Sequence, residues 1–195
     1  MKRLFDLFAA AGGLVVLAPL LLIVALAIKL DSRGPVLFRQ ERVGLHGVPF
    51  RIHKFRTMRQ DAEGEGQLTV GSDTRITRVG RFLRRFKFDE LPQLIDVFIG
   101  NMSLVGPRPE VPRYVSTYPA EVRARVLGVR PGITDFASIA YRNENALLAA
   151  SADPERTYLE EVLPAKLKLN LEYLDRQSVV LDLRIIFKTL VALGR

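Results

Sequence analysis

Twenty-two consecutive residues, Leu7 to Ile28, carry no charge. As a straight helix the run would be ~33 Å long, enough to cross the hydrocarbon core of a bilayer. A domain of ordinary size cannot bury such a helix on every side, so a membrane enters the folding problem at once. The simplest reading is a transmembrane anchor. A cleaved signal sequence fits poorly, because the run is long and Lys29 and Asp31 follow it directly instead of a small-residue cleavage site and a polar mature start.

Two features argue against simple spanning. Pro19 lies near the middle, where it removes a helix hydrogen bond and kinks the axis, and Gly12 and Gly13 loosen the helix further. Both flanks are basic: Lys2 and Arg3 before the run, Lys29, Arg33, Arg39 and Arg42 after it. Cytoplasmic flanks are enriched in Lys and Arg, which favours keeping both ends on one side. A helix that enters, bends at Ala18-Pro19 and returns to the same face satisfies both features. On these grounds alone, re-entrant and spanning paths stand level.

The remaining charge narrows the partners. Twenty-nine Lys and Arg against 21 Asp and Glu give a net charge of +8. That balance implies a phosphate-bearing partner, whether anionic lipid, nucleotide or nucleic acid. Nucleic-acid binding alone does not account for a chain that is 48% hydrophobic, and we expect no nucleic-acid partner. The absence of Cys excludes disulfides, thiolate nucleophiles and Cys-based metal sites. The two His, His46 and His53, are too few for a histidine metal site. Any metal would take oxygen ligands, which points to Mg²⁺ or Mn²⁺.

The chain beyond the apolar run reads as a helix-rich α+β fold. Val36–Arg42 and Val48–Phe55 alternate or are β-rich, with Gly44 and Gly47 between them, and predict a β-hairpin. Asp61–Ser72 is polar and Gly-rich and reads as a mobile loop. Ile76–Phe88 has near-helical apolar spacing, and the stretch from Arg75 carries six cations, Arg75, Arg78, Arg81, Arg84, Arg85 and Lys87, with no acid among them. Such a helix suits an anionic lipid surface or a phosphate site. A helix is expected over Asp89–Ile99, with Asp89 as N-cap and Pro92 in the first turn. Further helices are expected at Glu121–Val126, at Glu155–Leu174 with an interruption near Pro164, and at Val179–Leu193. The last could serve the core, a membrane surface or a dimer contact. Residues 1–30 would form the membrane segment and residues 31–195 a cytoplasmic catalytic domain with amphipathic interfacial helices.

The chemistry concentrates in residues 84–110, RRFKFDELPQLIDVFIGNMSLVGPRPE. A basic segment runs into the adjacent carboxylates Asp89 and Glu90. Beyond an apolar helix, Gly106-Pro107-Arg108-Pro109 forms a rigid turn that presents Arg108. Carboxylates beside arginines can hold a divalent cation, supply a nucleophile and sit next to cations that neutralise phosphate. Lys54 and Arg56, at the end of the hairpin, could face the same site. The bland reading of Asp89 is helix capping and that of Glu90 a first-turn carboxylate, and both are compatible with catalysis. No P-loop and no Gly-x-Ser-x-Gly elbow is present.

Five stretches carry a resemblance: Lys54-Phe-Arg-Thr-Met58, Asp73-Thr-Arg-Ile-Thr77, Asp89-Glu-Leu-Pro-Gln-Leu94, Asn101-Met-Ser-Leu-Val-Gly-Pro-Arg-Pro109 and Arg130-Pro-Gly-Ile-Thr134. In order and spacing, from near Lys2 to about Thr189, the chain resembles the bacterial sugar transferases. These are the monotopic phosphoglycosyl transferases that begin glycan assembly on a polyprenol phosphate carrier. It looks like the small form: one membrane segment plus the catalytic core.

The resemblance implies a two-step transfer from a UDP-sugar to polyprenol (undecaprenyl) phosphate. Asp89 would be the nucleophile and Glu90 the second acid of the dyad. Mg²⁺ or Mn²⁺ would sit on Asp89, and Lys54, Arg84, Arg108 and Pro109 would bind phosphate or nucleotide. It also implies a re-entrant helix broken at Ala18-Pro19, phospholipid contact, and a bacterial inner membrane location with the catalytic domain on the cytoplasmic face. The chain departs from the family at Ala18, where Ser is frequent, and at Lys87-Phe88, where Ser-Leu is common. It departs again at Asp135, where the family usually has Gly. Asp135 reads either as a donor contact or as a change in backbone conformation. A scaffold without activity and a nucleic-acid module are the competing classes.

Overall fold

The structure, a computed structural model, describes residues 1–59 and 73–193. The polar stretch expected to form a loop at 61–72 lies outside the described residues. The fold is α+β and helix-rich, as the sequence predicts. Helix α1, Lys2–Asp31, is unbroken through Ala18-Pro19. Pro19 has no N–H, so the carbonyl of Val15 loses its helical donor there.

Only a narrow strip of α1 is covered. Ala10, Val24 and Ile28 are buried, whereas Phe8, Val15, Val16, Leu22, Ile23 and Leu26 are exposed. Both ends of α1 are held by the rest of the molecule. At the N-terminal end Arg3 donates to the carbonyls of Val97 and Phe98 at 2.6 and 3.0 Å. Asp6, itself buried, accepts from the Ser103 hydroxyl at 2.8 Å. At the C-terminal end Asp31 accepts from the Val79 N–H at 3.1 Å, and Arg56 donates to the carbonyls of Ser32 and Arg33.

Strands β1, Leu37–Val43, and β2, Pro49–Phe55, form the expected antiparallel hairpin, with Leu37 opposite Phe55 and Val43 opposite Pro49. The exposed His46 sits in its turn at φ 57°. Helix α2, Arg78–Arg85, is capped by Thr77, whose hydroxyl accepts from the Gly80 N–H at 2.9 Å. It is shorter than the spacing over 76–88 suggests, because Lys87 adopts φ 57° and breaks the spiral. A 3₁₀ turn, Phe88–Glu90, then leads to α3, Gln93–Ile99.

A parallel pair of three-residue strands, β3, Ser103–Val105, and β4, Gly132–Thr134, was not legible in the sequence. Glycine is required where they close: a Cβ on Gly132 would lie 2.1 Å from the Gly106 amide nitrogen. Between them lie α4, Pro112–Val115, and α5, Ala120–Val126. After them come α6, Phe136–Ala140, α7, Glu144–Ala149, and α8, Pro154–Thr157. A single π-helical turn, Tyr158–Val162, then precedes α9, Leu163–Asp175. The expected interruption near Pro164 takes this form. A proline at 164 denies the Glu160 carbonyl its usual donor, and the wider turn accommodates the loss. Helix α10, Val179–Leu193, closes the chain.

The core has several parts. Val97, Leu94, Met102 and Ile52 pack against Ala10 of α1, and Phe55 and Leu83 against Val24 and Ile28. The largest cluster joins Val43, Val111, Tyr114, Tyr158 and Leu167. The hairpin, α2 and α3 are thereby fixed along α1, and the turn carrying Asp89 and Glu90 lies between them.

Candidate active site

Lys87 ends α2 by turning left-handed, and the chain enters the 3₁₀ turn that carries both acids. Asp89 and Glu90 are 8% and 9% exposed. The expectation that Asp89 caps a helix is not met. Helix α3 begins four residues later, and no side-chain cap is made at its start. The intervening 3₁₀ turn removes the free α-helical amides that a cap would satisfy. Instead, the buried Oδ1 of Asp89 has no hydrogen-bond partner among the described residues.

Glu90 is the opposite case. Arg108 grips it with both terminal nitrogens, Nη1 to Oε2 at 2.9 Å and Nη2 to Oε1. Lys54 Nζ donates to Oε1 at 3.2 Å. The electrostatics diverge accordingly. Burial and the neighbouring Glu90 charge push the Asp89 carboxyl up. Burial also works against Glu90, but Arg108 and Lys54 override it and hold that carboxyl well below the usual carboxylate range. Burial pushes the Lys54 ammonium down to about 8, against the pull of Glu90. One acid of the pair is tied into a fixed ion cluster, and the other is left with an open oxygen.

Each predicted residue can now be placed. Lys54, Glu90 and Arg108 form one cluster. Arg84 donates through Nε to the Thr57 hydroxyl at 2.8 Å, and the Asp89 charge helps hold its guanidinium protonated against burial. Arg56 does not join the cluster, since its terminal nitrogens go to the end of α1. Pro109 is buried and offers its carbonyl to Arg42 at 3.0 Å. Ala18 and Pro19 are exposed on α1. His53 lies on β2, buried against Asp96, with Nδ1 2.8 Å from Oδ1 and its N–H 2.8 Å from Oδ2.

Asp135 has a clear task. It is fully buried, with φ −157°, an extended conformation that any residue adopts. A conformational conflict is therefore not what distinguishes it from glycine. Its Oδ1 accepts from the Ser138 N–H and caps α6, and its Oδ2 accepts from the Arg108 N–H at 3.1 Å. Asp135 thus fastens the backbone of the residue that grips Glu90.

Sequence reasoning missed two further groups. Glu110 follows the Gly-Pro-Arg-Pro turn directly and sits in a buried ion cluster with Arg42 and Lys166. Gln93 is 1% exposed, with neither amide atom bonded among the described residues. A charge abutting a proline-fixed turn, and a polar residue inside the apolar helix that follows the dyad, were the available signals.

No cluster of three potential metal ligands exists among the described residues. The site nevertheless fits one mode of divalent binding. Mg²⁺ is commonly held by one or two carboxylates with the rest of its shell from water and substrate phosphates. Asp89 offers one open carboxylate oxygen. Glu90, with both oxygens taken by cations, does not.

The arrangement suits displacement at phosphorus: an open carboxylate, with lysine and arginines around it to neutralise phosphate oxygens. Comparison with known proteins agrees. The chain is 43% identical over 201 residues to an undecaprenyl-phosphate glucose phosphotransferase of Komagataeibacter xylinus, covering 97% of this chain and 35% of that one. It is 41% identical to a UDP-glucose:undecaprenyl-phosphate glucose-1-phosphate transferase of Caulobacter vibrioides, covering 98% of this chain and 69% of that one. It is 40% identical to an exopolysaccharide production protein of Rhizobium leguminosarum, covering 98% and 94%. The chain thus spans about a third of the first of these relatives and nearly all of the third. The model of the bacterial sugar transferase family matches residues 1–195, and the chain belongs to that family.

Proposed function

We propose that this chain transfers a phosphosugar from a UDP-sugar to polyprenol phosphate, through an intermediate on Asp89. An Asp89 carboxylate oxygen attacks the β-phosphorus of the donor. The bond from that phosphorus to the UMP oxygen breaks, and UMP leaves with the electron pair. A phosphate oxygen of the polyprenol phosphate then attacks the same phosphorus. The Asp89–phosphorus bond breaks, which frees the carboxylate and yields polyprenyl-diphosphate-sugar. Splitting one displacement into two lets a soluble donor and a lipid acceptor use one site in turn.

The observation that carries this reading is the inequality of the dyad. Among the described residues Asp89 keeps an unpartnered buried oxygen, whereas Glu90 is held by Arg108 and Lys54. A nucleophile must be open, and the group beside it can be fixed. Glu90 serves to anchor Arg108 and Lys54 where the donor's phosphate charge develops. Mg²⁺ or Mn²⁺ bound through Asp89 would supply neutralisation of the donor diphosphate. The similarity to undecaprenyl-phosphate sugar transferases supports the choice of donor and acceptor classes.

Helix α1 supports the proposed location. Its exposed apolar flank needs lipid, yet its two ends bind the same globular body. This supports a re-entrant segment, for which Ala18-Pro19 is the place a bend would fall, with both flanks on the cytoplasmic face of the bacterial inner membrane and phospholipid around the helix. Pro19→Leu would straighten the segment toward spanning. Cysteine-accessibility labelling that still found both ends cytoplasmic would refute that.

The test of the chemistry is mass spectrometry of membrane-extracted protein after incubation with Mg²⁺ and a panel of UDP-sugars, without acceptor. The expected result is a mass gain of one phosphosugar on Asp89, with UMP released. UMP release and sugar transfer on adding acceptor, with no adduct at Asp89, would overturn the covalent role. No release with any donor would overturn the activity.

A further inference from the structure

Helix α2 has two unlike faces. Gly80 and Leu83 are buried, and Val79 and Leu83 pack against Val24 and Ile28 of α1. The outward face carries Arg78, Arg81, Phe82 and Arg85, spaced i, i+3, i+4, i+7 and all exposed. Phe82 is 55% exposed. Its ring lies 4.8 Å from that of Phe86 and 6.2 Å from that of Phe88, and the Phe86 and Phe88 rings are 5.9 Å apart. The Arg85 guanidinium lies 5.6 Å from the Phe86 ring centre. Phe88 shares the 3₁₀ turn with Asp89 and directly precedes it. An aromatic ledge therefore runs from an exposed point on α2, beside the membrane-length helix, to the neighbour of the open carboxylate.

Cations rim this ledge. Arg78, Arg81, Arg85 and Lys87 form no ion pair with a carboxylate among the described residues, and α2 itself has no acid. A basic helix kept only for solubility would have no use for a phenylalanine more than half exposed between its arginines, because exposing the ring forgoes its burial energy. The combination asks for a ligand that is apolar along its length and anionic at its head.

We propose that the Phe82–Phe86–Phe88 ledge, with Arg81, Arg85 and Lys87, seats the isoprenoid chain of the lipid acceptor and leads its phosphate to Asp89. The inference rests on the phosphotransfer reading given above. Three observations select this occupant. The cations complement a phosphate head. The rings offer an apolar, polarisable surface to an unsaturated chain. The ledge also ends at the nucleophile, where an acceptor must arrive and a structural phospholipid need not. The UDP-sugar has no apolar chain for the rings to hold.

The two half-reactions separate this role from a structural one. The full chain in detergent would be compared with Phe82→Ser and with Phe82→Ser/Arg85→Gln, both changes lying on the exposed face. The expected result is unchanged UMP release in the absence of acceptor. KM for undecaprenyl phosphate should rise roughly tenfold in the double variant. An equal loss in both half-reactions would overturn the proposal, as would an unchanged acceptor KM. Weaker binding to phosphatidylglycerol vesicles with unchanged acceptor KM would assign the ledge to bulk lipid and also overturn it.

Direct binding of undecaprenyl phosphate, measured with no donor present, keeps the test independent of catalysis. If the wild-type chain released no UMP, the functional reading would fall. The ledge would still stand or fall on whether the double variant binds this lipid more weakly than the wild type.

Discussion

Two buried ion clusters flank the Gly106–Pro109 turn, and they are built differently. Glu110 accepts from the Tyr158 hydroxyl at 2.7 Å, lies 3.5 Å from Lys166 and 3.6 Å from Arg42, and Lys166 reaches on to Glu144 at 3.0 Å. Two acids face two bases, Glu110 meeting partners from β1 and α9 and Glu144 of α7 completing the set, and each Glu110 oxygen faces a cation. At Asp89 and Glu90 the cations outnumber the acids, and one carboxylate oxygen has no partner among the described residues. Buried carboxylates are normally satisfied, and Glu110 is while Asp89 is not, so the first cluster reads as framework and the second, open one as a place for something not yet bound. The two meet at the turn. Arg42 of the first cluster holds the Pro109 carbonyl, while Arg108 reaches into the open one.

The largest effect should separate them by activity. Asp89→Asn keeps the shape of the side chain but removes the proposed nucleophile, and turnover should fall by ~10³-fold or more, measured as UMP release. Stability should move the other way. The folded protein holds this carboxyl above its ordinary value, so its charge is a liability at neutral pH. The variant should unfold no more readily than the wild type at pH 7, and any advantage should vanish in acid, where the wild-type group is protonated in both states. A destabilised Asp89→Asn protein would mean that the open oxygen has a structural partner after all.

Glu110→Gln should invert that pattern. It leaves Lys166 and Arg42 buried with too little countercharge, and breaking such a buried pair costs ~3–5 kcal/mol. Although burial works against its charge, Lys166, Arg42 and the Tyr158 hydroxyl hold Glu110 below the usual carboxylate range. Its contribution is therefore present above the unfolded carboxyl value, ~4.3, and is lost as pH falls through the lower folded value. Urea denaturation at pH 7 should show the full deficit, and the gap to wild type should narrow in acid. An unchanged midpoint at pH 7 would mean the cluster is not framework.

Arg108→Lys tests the link between the clusters at smaller cost. Lysine keeps the charge but loses the two-pronged grip on Glu90, so activity should fall by ~10–100-fold with little change in the urea midpoint. Asp135→Asn should fall between wild type and that variant, since Asp135 reaches Arg108 only through its backbone N–H.

The contrast between the clusters was only partly legible in the sequence. Local patterns read well: alternation over residues 36–55 gave the hairpin, and the apolar period over 179–193 matches α10. The dyad and the Gly-Pro-Arg-Pro turn were visible as charges and prolines in unusual neighbourhoods. Glu110 was not, because its partners come from residues 42, 158 and 166, and no local period joins them. Strands β3 and β4 are too short to show alternation. A carboxylate before an apolar helix usually caps it, so the sequence predicts a cap at Asp89, and nothing local foretells the left-handed Lys87 that moves the helix start. For Asp135 the glycine-to-acid change drew attention to backbone freedom, but the close approach that demands glycine falls at Gly132.

The finest test concerns Lys54, which belongs to the open cluster but sits close to neutrality. Burial brings its ammonium down to about 8. If the charged form neutralises donor phosphate, kcat/KM for the UDP-sugar should fall as pH rises through about 8. Stability should do the reverse. Between about 8 and the unfolded value of ~10.4, the unfolded chain holds a proton that the folded chain has released, so the fold gains stability as pH rises. A fall in activity with a rise in the urea midpoint over the same window cannot come from unfolding, and it singles out a functional charge kept at a structural cost. Lys54→Arg supplies a cation that does not titrate there, and should move the alkaline limb out of the window. An alkaline limb that stays near 8 in Lys54→Arg would assign the titration to another group and leave Lys54 as no more than a second anchor for Glu90.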